Sequence, residues 1–154
     1  MLNVVLINPE IPPNTGNIGR LCCAVGARLH LVKPLGFRLE DRYLKRAGLD
    51  YWDKLDLAVW NDLETYLAAT CPVQMVLTSS KRGEIYHNIG YKPGDHILFG
   101  PETTGLSMEM FERFPARIAR IPIDLNKVRS LNLSTAAGIV VYEALRKIGE
   151  LPEL

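Results

Sequence analysis

Short, uninterrupted apolar runs alternate with stretches of helical periodicity along the whole chain, and this alternation limits the fold more than any other feature. Leu2–Ile7, Arg28–Val32, Asp56–Trp60, Val73–Leu77, His96–Phe99 and Ile118–Ile123 each read as a strand. Their apolar residues fall on successive positions, not every second one, which is the pattern of strands covered on both faces. Helix starts and stops lie between them. Asn14 or Thr15 can cap a helix to about Val25, with Gly26 as its stop. Glu40–Ala47 precedes Gly48, Asn61 can cap Leu63–Ala69, and Ser107–Phe114 looks helical. Ser134 can cap a final helix to about Ile148, with Ala137, Val140, Val141, Ala144, Leu145 and Ile148 on its apolar side. Strands alternating with helices predict an α/β domain whose mainly parallel sheet has helices on both faces. The 154 residues hold no repeat or linker, so one domain is expected over 1–154.

Composition excludes several classes. Hydrophobic residues make up 47% and charged residues 23%, enough for a packed core and unlike a disordered chain. No run approaches the length of a membrane span, and the apolar N-terminus has no basic region before it, so it reads as a buried strand rather than a signal peptide. Cys22, Cys23 and Cys71 are odd in number and include an adjacent pair, which predicts reduced thiols and a cytoplasmic location. No Cys/His spacing suggests a metal. The net charge of +1 gives no bulk basic excess for nucleic acid, so an RNA partner would need a local basic patch.

Ligands of open α/β sheets bind beyond the carboxyl ends of strands, and three polar loops are expected there. The first, Asn14-Thr15-Gly16-Asn17-Ile18-Gly19-Arg20, places amides, glycines and an arginine at a helix start. Free N–H groups there favour anions, and the five donors of Arg20 suit a phosphate or a ribose oxygen. The second, Gly100-Pro101-Glu102-Thr103-Thr104-Gly105-Leu106, has glycines that let the backbone approach a ligand. Glu102 would orient a neighbouring loop, hold a substrate hydroxyl, or merely sit near the next helix start. The third runs from Asp124 to Ser134, where capping accounts for Ser134 but less readily for Ser130 and Asn132. His30 and His96 fall in strand patterns and read as structural, whereas His87 lies in a loop. No GxGxxG follows the first strand and no GxSxG occurs, which leaves dinucleotide-binding and hydrolase-elbow readings without support, and the absence of GxxxxGK[ST] excludes a P-loop.

In this order and over nearly the whole chain, the three segments resemble the motifs of the SPOUT superfamily of RNA methyltransferases. The likeness is to its tRNA ribose 2′-O-methyltransferase branch, and the opening Asn8-Pro9-Glu10-Ile11-Pro12-Pro13-Asn14 is similar to members acting on the wobble nucleotide, cytidine or uridine 34. The resemblance implies a C-terminal trefoil knot, which general topology rules would not suggest. It implies S-adenosyl-L-methionine as cofactor, held around Leu77, Thr78, Gly100, Ile121, Ser130 and Leu131. It also implies a homodimer that grips tRNA without an added RNA-binding extension, and catalytic roles for Arg20, Asn14, Glu102 and Asn132.

For tRNA contacts the expectation is Arg20, Lys81, Arg82 and Arg129, all beside the proposed loops, with Tyr142 either stacking on the target nucleotide or buried in the last helix. A guanidinium stays protonated, so Arg20 is expected to stabilise charge on the attacking oxygen instead of accepting its proton. The alternatives are a 2′-O-methyltransferase for another RNA or tRNA position, and a non-catalytic RNA-binding module.

Overall fold

The computed structural model describes residues 1–42, 44, 46, 50–72, 74–114 and 117–153. Among the described residues, seven strands form one sheet: β1 (Asn3–Ile7), β2 (Arg28–Val32), β3 (Leu57–Trp60), β4 (Met75–Ser79), β5 (Glu84–Ile85), β6 (His96–Phe99) and β7 (Arg117–Arg120). Their order is β3-β2-β1-β6-β4-β7-β5, and every pairing is parallel. The long helices are α1 (Pro12–Val25), α2 (Leu63–Thr70), α3 (Met108–Arg113) and α4 (Leu133–Ile148).

The sheet is covered on both faces, as its continuous apolar runs require. Successive residues of β1 enter different cores: Val4 and Leu6 pack with Ile18 and Cys22 of α1 and with Val140, Val141 and Ala144 of α4. Val5 and Ile7 pack with Tyr66 of α2 and Met110 of α3. Strand period two thus divides one apolar run between two helical layers. The neighbours β1 and β6 lead outward in opposite directions, β1 through α1 to β2 and β6 through α3 to β7. Their carboxyl ends therefore flank a topological switch point, where such sheets bind ligands.

Several boundaries differ from expectation for identifiable reasons. Helix α1 begins at Pro12, its N-cap Ile11 lying three residues before Asn14, because proline suits the first helical position, and Ile11 supplies no side-chain bond. Gly26 ends the helix in the left-handed conformation as expected. Asp62, not Asn61, caps α2 by accepting from the Thr65 N–H at 2.7 Å. Strand β4 begins at Met75 and runs through Thr78 and Ser79, where the Thr78 hydroxyl donates to the Leu98 carbonyl at 2.8 Å. Strand β7 starts at Arg117 and stops at Arg120, since Pro122 has no donor for the ladder. The two-residue β5 has no signature in the sequence. Of the helix expected over Glu40–Ala47, Glu40 and Asp41 are not helical, the described Arg42, Leu44 and Arg46 are, and positions 43, 45 and 47, with Gly48, lie outside the described residues.

Candidate active site

The three polar loops meet, and their junction is a hydrogen-bonded chain of side chains. The Glu102 carboxylate, from the loop after β6, accepts the backbone N–H of Glu10 at 2.7 Å and of Ile11 at 3.0 Å. It also accepts from the Asn14 side-chain amide at 3.4 Å. The Oδ1 of Asn14 in turn accepts the amide of Asn132, from the loop before α4, at 3.0 Å. Glu10 answers Glu102 by accepting the Thr103 N–H at 3.1 Å and its hydroxyl at 2.7 Å. Those bonds from Thr103 hold the Glu10 carboxyl below its ordinary pKa. Asn14, Glu102 and Asn132 are brought together although 118 positions separate the outer two.

This arrangement corrects the reading of the first loop. Pro12 and Pro13 have no N–H, and the donors just before them are taken by Glu102. The anion at this helix start is the protein's own carboxylate. Gly16 and Gly19 lie inside α1 instead of leading it, and both are buried. Arg20 follows more than two turns into the helix, and its side chain is exposed.

Asn132 is the N-cap of α4. Its Oδ1 accepts the N–H of Ser134 at 2.9 Å and of Thr135 at 3.3 Å, and the Ser134 hydroxyl donates to the same atom at 2.6 Å. The cap assigned to Ser134 therefore belongs to Asn132, whose amide links to Asn14 at the same time. Oδ1 serves the helix and Nδ2 serves the site.

The positions expected to hold the cofactor lie at the end of β4 and after β6 and β7, and these strands are neighbours in the sheet. Leu77 is buried, Thr78 is tied to the Leu98 carbonyl, Ile121 and Leu131 are half-buried, and Ser130 is exposed. Gly100 is required by close packing: a Cβ there would lie 2.1 Å from the Leu106 nitrogen and 2.2 Å from the Gly105 carbonyl carbon. Apolar surface from Ile121 and Leu131, hydroxyls from Ser130 and Thr78, and the polar backbone of three loop ends fit a nucleoside-type cofactor, which needs apolar contact on its base and donors and acceptors at its edges. A cleft of about 330 Å³ opens at the switch point between Asn8, Glu10, Pro34 and Gly36 on one side and Pro101, Thr103 and Thr104 on the other. The loop after β6 thus lines the cleft through Pro101, Thr103 and Thr104 and starts at Gly100, one of the positions expected to meet the cofactor.

Among the expected RNA contacts, Lys81, Arg82 and Arg129 are exposed. The Ser79 hydroxyl accepts the N–H groups of Lys81 and Arg82 at 3.1 and 3.0 Å, and the Arg82 guanidinium lies over the Phe111 ring. Tyr142 is 47% exposed on α4, so it is not a core residue. His87 is exposed in a single 3₁₀ turn, its ring edge against Tyr86. His30 and His96 belong to a buried cluster with Trp60 and Tyr66. There the Trp60 N–H donates to His30 Nδ1 at 3.0 Å, which leaves His30 Nε2–H to donate to Asn3 at 3.0 Å. Cys22, Cys23 and Cys71 are all free. Among the described residues, no cluster of three His, Cys, Asp or Glu side chains could hold a metal, and no helix is long and apolar enough to cross a membrane.

Sequence reasoning missed Tyr51. Its hydroxyl donates to the Gly16 carbonyl at 2.7 Å, and its ring faces the Arg20 guanidinium, 5.8 Å from the centroid. Two glycines three apart in a helix leave a bare stripe that another segment must cover, and that spacing was the available signal.

The chain is 45% identical over 150 residues, 97% of each chain, to the tRNA (cytidine(34)-2′-O)-methyltransferase of Saccharophagus degradans. A solved structure described as giving insights into the 2-OH methylation of C/U34 on tRNA superposes with a TM-score of 0.85 at 43% identity, covering 96% of this chain and 95% of that one. An AdoMet-bound rRNA methyltransferase from Sinorhizobium meliloti superposes with a TM-score of 0.83 at 30% identity, covering 94% of this chain and 56% of that one. The model of the SpoU rRNA methylase family matches residues 1–142, so the chain belongs to that family.

Proposed function

We propose that this chain transfers a methyl group from S-adenosyl-L-methionine to the ribose 2′-hydroxyl of the wobble nucleotide, cytidine or uridine 34, of tRNA, acting as a homodimer in the cytoplasm. The observation that carries the reading is the Glu102–Asn14–Asn132 chain, which locks three distant loops at a switch point, with Asn14 on the same helix as Arg20, whose guanidinium makes no hydrogen bond or ion pair among the described residues. Full-length similarity to enzymes named for that reaction supports it. The C-terminal trefoil knot belongs to the same reading. It is supported by β6 lying between β1 and β4, two strands that precede it in the chain, and by α4 returning to pack on α1.

The cofactor supplies an electrophilic methyl on a sulfonium, already a good leaving group. The chain's residues must therefore place the ribose oxygen and stabilise the charge it develops. Residues Leu77, Thr78, Gly100, Ile121, Ser130 and Leu131 hold the cofactor. Asn14, Glu102 and Asn132 fix the loops that align it with the nucleotide, and the cleft beside Glu10 and Thr103 offers room for the base. Arg20 stays protonated and acts as a cation beside the 2′-oxygen, and the proton leaves to water or to a substrate phosphate. Lys81, Arg82, Arg129 and Tyr142 contact the RNA from exposed positions. A non-catalytic RNA-binding module would have no need of this locked hub.

The deciding experiment is transfer of labelled methyl to bulk tRNA followed by nucleoside mapping. The expected product is 2′-O-methylated nucleotide 34. Label on a base or at another position overturns the target, and absence of label together with absence of cofactor binding by calorimetry overturns the enzyme. Affinity for tRNA should fall steeply with salt, and an affinity unchanged by salt would remove the Lys/Arg contacts.

A further inference from the structure

We propose that Tyr51 is a positioning residue for Arg20: its ring holds the guanidinium at the site by cation–π contact while leaving every N–H donor for the substrate. The inference rests on the role proposed for Arg20 and deepens it.

Among the described residues, the Arg20 guanidinium has no ion pair and no hydrogen bond, and its one recorded contact is the Tyr51 ring, 5.8 Å away at the centroid. An arginine held by a carboxylate would spend two donors on the fork and lose much of its cationic field. An aromatic face attracts the cation without accepting any N–H in the guanidinium plane. Charge and donors both remain available for a ribose oxygen and an adjacent phosphate. A free arginine on an exposed helix would otherwise sample many rotamers, and an in-line displacement depends on placement.

Tyr51 is itself tied to the helix that carries Arg20. Its hydroxyl donates at 2.7 Å to the carbonyl of Gly16, the acceptor that the helical repeat assigns to Arg20's own backbone N–H. The Cys23 thiol donates to the Tyr51 carbonyl at 3.5 Å. Gly19 lets the next turn of chain dock, because a Cβ there would stand 3.2 Å from Leu55 and 3.3 Å from Trp52. Positions 16, 19 and 23 form one stripe of α1, and the segment from Tyr51 to Leu55 lies along it, with Arg20 at its edge. Burial raises the Tyr51 phenol above its ordinary pKa, against the opposing pull of Arg20, so the ring stays neutral and a proton-accepting phenolate is disfavoured.

The test is steady-state methylation of tRNA by Tyr51→Phe, which keeps the ring, and Tyr51→Gln, which keeps a donor toward the Gly16 carbonyl without an aromatic face. Each is made in the parent and in an Arg20→Ala background, with denaturant melts and cofactor affinity measured for all. Tyr51→Gln should lower kcat by about 10- to 100-fold with cofactor affinity unchanged. Tyr51→Phe should recover activity to within about threefold of the parent, since only the tether is lost. In the Arg20→Ala background Tyr51→Gln should cost less than about twofold more, the non-additivity of residues acting through one another. Equal losses in both backgrounds, a Phe variant as poor as the Gln variant, or a Gln variant as active as the parent each overturn the proposal. An inactive Arg20→Ala beside a fully active Tyr51→Gln overturns it alone, whereas a fully active Arg20→Ala overturns the role of Arg20 as well.

Discussion

Strand β6 has a carboxylate near each end, and the two are held in opposite ways. Asp95, just before the strand, is fully buried and accepts two bonds from the Arg117 guanidinium at 2.8 and 2.6 Å, plus the Lys92 N–H at 2.8 Å. Its backbone carbonyl takes the Asn3 N–H, so β1, β6 and β7 are fastened at their amino ends around a neutralised pair. Glu102, past the carboxyl end, is half-buried and is held by amide donors alone, with no cation against it among the described residues. The amino end spends its charges internally. Past the carboxyl end, neutral amides alone hold Glu102.

The sharpest way to break this contrast is to remove Asp95. Asp95→Ala strands the partly buried Arg117 and opens the amino edge, and the expected loss is about 3–5 kcal/mol in urea melts. A loss under about 1 kcal/mol would mean the pair is no more than a surface bridge.

His30 extends the amino-end logic to pH. Burial lowers its pKa from 6.5 to about 4, with His96 and Arg28 acting in the same direction. Burial also lowers the pKa of His96. The unfolded chain therefore takes up protons first as pH falls, so this part of the stability is complete above about pH 6.5 and is lost on descending toward pH 4. The difference between 6.5 and about 4 corresponds to at most about 3 kcal/mol. Melts across that range should show the decline, and His30→Gln should flatten it. A decline that survives the substitution would assign the effect to other groups.

At the other end Glu102→Gln separates charge from shape. The amide keeps one acceptor for the Glu10 and Ile11 N–H groups and loses the second, so stability should fall by about 1–2 kcal/mol. Methyl transfer should fall about tenfold or more, because loop register is what the site depends on. Equal fractional losses from Glu102→Gln and Asp95→Ala in both readouts would erase the distinction between the two ends.

The layers of this fold are legible in the sequence because period-two strands and capped helices are local properties. The positions of Glu102 and Asn132 are legible as loops at strand ends for the same reason, whereas Arg20 lies well inside α1. What stayed hidden is non-local. Nothing near Glu102 in the chain announces that its partners are the N–H groups of Glu10 and Ile11, and beside Arg20 the Gly16/Gly19 spacing announces only that some segment docks there, not that it carries Tyr51. The capping errors have a common cause as well. Asn14 and Ser134 have the right chemistry for caps, but proline at Pro12 starts α1 earlier, and Asn132 reaches the start of α4 first. Local propensity ranked the candidates, and the rest of the molecule chose among them.

Asn132 provides the finest cut, because its two side-chain atoms serve the two purposes separately. Asn132→Asp keeps an oxygen to cap Ser134 and Thr135, and a carboxylate at a helix start is favourable, so melts should move by no more than about 0.5 kcal/mol. The same change removes the Nδ2 donor and sets an anion against Asn14 Oδ1, one step from Glu102. Activity should therefore fall while the fold holds. Asn132→Ala, which loses both functions, should cost about 1 kcal/mol in stability as well. If the Asp variant stayed fully active, Asn132 would be a helix cap and nothing more, and the hub would shrink to the Glu102–Asn14 contact. If it lost activity with an unmoved melt, the link between the third loop and the first would be a property of the site, separable from the helix that the same residue begins.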